Sequence, residues 1–220
     1  MKILLTALVA STFAFAACSG PDANTPKAST SEPSTNKPAN TANAAAAPST
    51  AAKGEAMEIT PANSTVAFVG YKVTGKHLGG FKQFSGTINL VNGKPEESSV
   101  SVDMDAKSIF ADDPKLTEHL KTKDFFEVEK FPKASFKSTK IESGAKAPDN
   151  FTVTGDLEMH GVTKSVSFPA KIDVTDTDVA VKASFSINRK DFGIVYTGPA
   201  DNLIRDDVSI TLDLKTARKK

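Results

Sequence analysis

Tryptophan is absent from these 220 residues, cysteine occurs once and histidine three times. The lone cysteine, Cys18, excludes an internal disulfide framework and any multi-cysteine metal centre. His77, His119 and His160 lack the short His-x-x-x-His spacing of a ligand pair, so hydrogen bonding at turns or strand ends is expected of them and no metal. Net charge is nearly missing as well: 27 Lys and Arg against 26 Asp and Glu leave +1. A nucleic-acid partner held by a strongly basic surface is thereby excluded. Neither G-x-S-x-G nor H-E-x-x-H occurs. Gly75, Gly79 and Gly80 do not follow the strand-to-helix pattern of a phosphate loop and read as tight turning beside a long strand. Asp112-Asp113 and Asp206-Asp207 are adjacent pairs, and neighbours on a strand point to opposite faces. Neither catalysis nor a cofactor is expected.

Only one stretch is continuously apolar. After Met1-Lys2, residues Ile3 to Ala17 form a run too short for the about 20 residues of a membrane-spanning helix and right for an export signal at 1–17. Phe15-Ala16-Ala17-Cys18 resembles a bacterial lipobox, with Phe15 where that pattern prefers Leu. On this reading Cys18 is lipidated and anchors an exported, periplasmic protein to a membrane, the outer one in a two-membrane host because Ser19 follows. The competing reading is cleavage after Ala14-Phe15-Ala16, which leaves Cys18 a free thiol. Residues 19–56 contain no Val, Ile, Leu, Met or aromatic side chain. Nothing there can offset the entropy of ordering, so 18–56 is expected to be an anchor followed by a disordered tether.

Residues 57–220 differ in kind. Apolar residues recur with period two in eight segments: Val66–Phe68, Phe84–Leu90, Val100–Ala106, Ala134–Phe136, Phe151–Met159, Val166–Val174, Val179–Ile187 and Val208–Leu214. One face of each is apolar and the other wet, as in an antiparallel sheet. Short connections favour a meander, and closure removes exposed edges. The expected fold is all-β: an eight-stranded antiparallel barrel, wide enough to fill with side chains or to hold one small ligand. Residues 112–127 break the alternation, and Pro114 with Leu116, Leu120, Phe125 and Phe126 suggests one or two short helices covering an end or side.

Four strings are more specific than periodicity. They are Lys72-Val73-Thr74-Gly75-x-His77-x-Gly79-Gly80-Phe81; His119-Leu120-Lys121-x-x-Asp124-Phe125-Phe126-Glu127-Val128-x-Lys130-Phe131-Pro132; Met159-His160-Gly161-Val162-Thr163-Lys164; and Phe185-Ser186-Ile187-Asn188-Arg189-x-Asp191-Phe192-Gly193. Together they resemble the YceI-like family of exported bacterial lipid-binding proteins, from about Ile59 to Leu214. The resemblance implies a lipocalin-like barrel that holds a polyisoprenoid or related apolar lipid. Many members have a histidine before the Ser-x-Val-x-Phe run, and here Asn63 stands in its place.

With that implication, the inward set that would line a lipid tunnel is Val66, Phe68, Phe84, Val102, Met104, Phe136, Val153, Leu157, Phe168, Val181, Phe185, Ile210 and Leu212. Lys164, Arg189 and Arg205, with Lys190, are the candidates to meet a polar head group at an opening. A solid core whose surface acts through a protein partner is the alternative, and a homodimer is left open.

Overall fold

A computed structural model describes residues 25–33 and 54–218. The export signal, Cys18 and the greater part of the expected tether lie outside the described residues. The strands are β1 (Ser29–Ser31), β2 (Glu55–Ile59), β3 (Ser64–Lys72), β4 (Gly75–Phe81), β5 (Phe84–Val91), β6 (Lys94–Asp105) and β7 (Ile109–Ala111). They continue with β8 (Lys133–Ser143), β9 (Phe151–Met159), β10 (Val162–Val174), β11 (Asp178–Asn188) and β12 (Asp207–Ala217), and one helix, α1 (Pro114–Leu120), lies between β7 and β8. The eight alternating segments are the eight strands β3, β5, β6 and β8 to β12.

These strands form one antiparallel sheet in the order β2-β5-β6-β8-β9-β10-β11-β12-β3-β4-β7. It curls around an apolar interior in a lipocalin-like arrangement. The meander is carried by hairpins as expected. The curl returns on itself because β2 and β3 are consecutive in the chain, with β2 bonded to β5 and β3 to β12. Asn63 shapes the corner between them: its side chain accepts from Thr60 N–H and Ser64 Oγ and donates to Glu58 O. Beyond the corner, β2 meets the end of β12. Thr216 Oγ1 donates to Met57 Sδ at 3.3 Å, and Arg218 Nε donates to Glu55 at 3.0 Å.

Four strands escaped the period-two pattern. β2 starts inside the expected tether, and β7 is a three-residue pairing with β4. Gly75 closes the tight β3–β4 turn opposite Lys72, but Gly79 and Gly80 are not turn residues, which corrects the expectation above for those two. A Cβ on Gly79 would lie 2.3 Å from Phe68 Cζ and 2.4 Å from Phe110 O, and one on Gly80 would lie 2.7 Å from Val66 O. Glycine is needed here for close approach, and Phe68, the cross-strand partner of Gly79, fills the space over it. The fourth strand, β1, lies within 18–56, so that segment is not tether throughout. It pairs antiparallel with β10 at Ser29↔Ser167, Thr30↔Val166 and Ser31↔Ser165.

The excursion between β6 and β8 caps one end. Asp113 Oδ1 accepts from Lys115 N–H at 2.7 Å and Leu116 N–H at 3.0 Å, the N-cap that starts α1, with Pro114 in the first turn. Its neighbour Asp112 joins β4, accepting from Leu78 N–H at 3.0 Å and pairing with His77 at 2.8 Å. Leu120 and Phe125 then pack with Ile109 and Ile194 in a second apolar cluster, against which Phe68, Phe81, Phe126 and Tyr196 lie.

Gly79→Ala should lower stability by roughly 1–3 kcal/mol, the usual cost of overpacking. In thermal unfolding followed by circular dichroism this is a fall of about 2–4 °C per kcal/mol for a domain of this size. Gly75→Ala, whose Cβ meets nothing within 4 Å, should stay within about 0.5 kcal/mol of the parent.

The Asp112 carboxyl is held below its ordinary range, first by the Leu78 N–H and next by His77. A lowered folded-state value contributes stability above the unfolded aspartate value of about 3.9, and that contribution is lost as pH falls through the folded-state value. Denaturant midpoints measured from pH 6 downward should therefore fall, and Asp112→Asn should make the fall shallower.

Candidate functional site: an apolar tunnel

Alternation turns one side chain in two toward the axis of the curled sheet. β6 contributes Val102 and Met104, β9 Val153 and Leu157, β10 Val166, Phe168 and Ile172, β11 Val181 and Phe185, and β12 Ile210, Leu212 and Leu214. With Val66 of β3 and Phe136 of β8 they surround a cavity of ≈ 120 Å³ whose wall presents only apolar surface. Of the thirteen residues expected to face inward, all but Phe68 and Phe84 line it. Phe84 is buried in the main core beside the cavity, and Phe68 packs with the capping cluster.

Several wall residues were not in the expected set. Ile88, Leu90, Val166, Ile172, Val179, Ile187 and Leu214 share the parity of chosen neighbours and were legible in principle. Ile141 was not legible by parity. It lies five residues from Phe136, yet both line the cavity, because a register shift between Ser138 and Lys140 inserts a residue into β8. Phe81 and Met159 come from elements beside the caps and close the far end of the wall.

The aromatic rings give the tunnel its waist. Phe168 and Phe185 stack at 4.0 Å between centroids with 10° between planes, and Phe136 lies 5.7 Å from Phe168. At the capped end Phe81 meets Phe126 edge-on at 6.1 Å. The opposite end is formed by the β5–β6 and β10–β11 hairpins, where Pro95, Ser98, Ser99 and Val174 line the cavity and Ser99 is exposed. Ser98 Oγ is occupied there, donating to Lys94 O at 2.6 Å and accepting from Val91 N–H at 2.9 Å.

The charged candidates are not gathered at an opening. Arg189 is 4% exposed, and its guanidinium donates to the carbonyls of Ile194 at 2.7 Å and Arg205 at 3.1 Å, with Asp206 at 3.4 Å. Burial pushes the guanidinium below its ordinary value, opposed by Asp206. It pins the 189–206 loop from inside, which corrects its assignment to a head group. Lys164 is likewise engaged, with Glu32 at 2.6 Å, and Lys190 pairs with Asp206 at 2.9 Å. Arg205 is exposed on the loop at the capped end, its backbone N–H donating to Tyr71 O.

The histidines separate in the same way. His77 pairs with Asp112, and His119 with Asp124 at 2.8 Å while meeting Phe125 and Tyr196 edge-on. His160, at φ 53° in the β9–β10 turn, has Nδ1 3.2 Å from Phe192 O. Among the described residues no group of three or more potential ligands could hold a metal ion. The tunnel therefore offers area and shape to a ligand, with no charge inside to select a polar one.

Comparison with known proteins agrees with this geometry. A UPF0312 protein of Pseudomonas putida (strain GB-1) is 36% identical over 157 residues, covering 66% of this chain and 79% of that protein. A UPF0312 protein of Pseudomonas fluorescens (strain SBW25) shows the same identity over the same length. Among solved structures, Burkholderia cenocepacia BcnA matches with a TM-score of 0.64 at 22% identity, covering 71% of this chain and 98% of that one. A polyisoprenoid binding domain from Saccharophagus degradans, implicated in plant cell wall breakdown, matches with a TM-score of 0.59 at 17% identity, covering 76% and 100%. These two likenesses are of fold. Residues 57–216 match the YceI-like domain, and the chain belongs to the YceI-like family.

Proposed function

We propose that this protein binds a long apolar lipid of the polyisoprenoid or isoprenoid-quinone class in its tunnel and carries or stores it without covalent chemistry. The observation that carries the reading is the cavity itself: an interior running from the exposed hairpin end to the caps, walled by apolar side chains from the strands around the axis. Family membership and the fold shared with a polyisoprenoid binding domain support it.

Apolar cavities of about 150 Å³ stay dry and take up benzene-sized molecules, so a cavity of ≈ 120 Å³ suits a slender hydrocarbon segment. A longer chain is accommodated by the wall. Met104 and Met159 are flexible and polarizable, and both line the space. A methyl-branched prenyl chain makes many weak dispersion contacts along such a wall, each worth only about 0.1–0.2 kcal/mol. Export and anchoring through Cys18 complete the proposal, placing the carrier in the periplasm at a membrane surface.

Burying one methylene is worth about 0.8 kcal/mol. Each five-carbon isoprene unit should therefore raise affinity about tenfold or more until the tunnel is full, even after ordering costs. Titrating prenyl alcohols of increasing length against bound 1-N-phenylnaphthylamine should show this gradient, and native mass spectrometry of protein from its own host should show a copurified lipid. No copurified lipid and no dependence on chain length would sink the proposal.

Leu157→Trp should separate a tunnel from a filled core. A tunnel should lose prenyl affinity by about tenfold or more at nearly unchanged melting temperature, whereas a filled core should lose roughly 1–3 kcal/mol of stability.

A further inference from the structure

The seam between β10 and β11 is unlike the other junctions of these strands. Their direct ladder runs from Val174↔Val179 only as far as Lys171↔Lys182. Beyond it a third segment occupies the seam, and that segment is residues 26–32, which follow Cys18 closely in the chain. On one side β1 pairs with β10 at residues 165–167. On the other, Ala28 N–H donates to Ser186 O, and Ser186 N–H donates to Pro26 O, both at 2.9 Å. The inserted segment thus completes the backbone hydrogen bonding of two strands that have parted.

What it covers is the tunnel. Val166, Phe168, Phe185 and Ile187 flank the seam and line the cavity, and Ala28 is buried with them in the main core. Strands on either side of an intervening strand lie about 9–10 Å apart, twice the usual spacing. Without residues 26–32 that width would be open from the side, bridged only by the Phe168–Phe185 stack.

The segment is held lightly. β1 is three residues long, its outward groups are Ser and Thr, and its two ion pairs, Lys27 with Asp207 and Glu32 with Lys164, lie at the surface. Such pairs contribute little, and short segments with few buried apolar contacts open before the body of a fold. The segment also lies outside the 57–216 region that matches the family.

We propose that residues 26–32 are a releasable strap over a lateral portal to the tunnel, through which an apolar ligand enters and leaves between β10 and β11. This rests on the lipid-binding reading above. Thr25 lies seven positions after Cys18, at most about 25 Å of extended chain. An anchored Cys18 would therefore hold the portal close to the bilayer.

The test is stopped-flow uptake of 1-N-phenylnaphthylamine by the exported full chain. Ser29→Cys combined with Ser167→Cys joins directly opposed positions and locks the strap when oxidised. Uptake should slow at least tenfold in the oxidised form and recover on reduction, with the amount bound at equilibrium within twofold of the parent. Ala28→Glu places a carboxylate in the core and should free the strap, speeding release of bound probe at least threefold and exposing residues 25–33 to protease. Probe binding that proceeds at parental rates in both variants would overturn the portal and leave the tunnel standing, with access by the Pro95–Ser99 end. No probe bound by the parent chain would overturn the tunnel reading and the portal with it.

Discussion

A sheet curled until its inner faces oppose one another must bury its inward side chains against others across the axis, and the long strands and the cap of this structure answer to that requirement. The inward side chains of the long strands do not fill the axis completely. Phe136 meets Phe168 and Phe168 meets Phe185 at the waist, and the remaining space is the cavity. The caps follow from the same requirement. Without α1, Phe125 and the 189–206 loop, the end at Phe81 and Met159 would expose the apolar wall to water. Arg189 is buried to hold that loop in place through its carbonyls.

Close approach of backbone sets where the large rings can go. Phe68 lies over Gly79, and Phe136 lies against Gly155, where a Cβ would sit 2.4 Å from its ring. In both cases an aromatic side chain on one strand occupies the volume that a side chain on a nearby strand has given up. The charges are arranged by exclusion from this interior. They pair on the outer surface or at loop bases, as Lys182 does with Asp213 and Lys190 with Asp206, and so add little to ligand selection. Recognition by shape and area suits a ligand whose only handle is a hydrocarbon chain.

Much of this was legible along the chain. The eight alternating segments are the eight long strands, and eleven of the thirteen residues named from parity line the wall, because a strand's period of two is independent of what surrounds it. The pattern failed wherever tertiary pairing set the outcome. The bulge at Ser138–Lys140 reversed the parity of Ile141, and no local residue announces a register shift that depends on the partner strand. Gly79 and Gly80 of β4 read as turns because they answer to Phe68 and Phe110, which are distant in sequence or belong to another strand. Lys164 and Arg189 read as head-group candidates, and Glu32 and the loop carbonyls that engage them lie far off in the chain or depend on how it folds back.

The amino-acid sequence by itself determined the class of fold, the apolar character of the interior and the family, since these rest on periodicity, composition and contiguous strings. Only the tertiary structure decided which ring meets which, where the wall ends, and that residues 26–32 belong to the barrel. That last segment has almost nothing to bury, and its order comes from backbone groups left unpaired where β10 and β11 part. Unpaired N–H and C=O groups are a property of two strands in space, and no local pattern in Lys27-Ala28-Ser29-Thr30-Ser31 carries it.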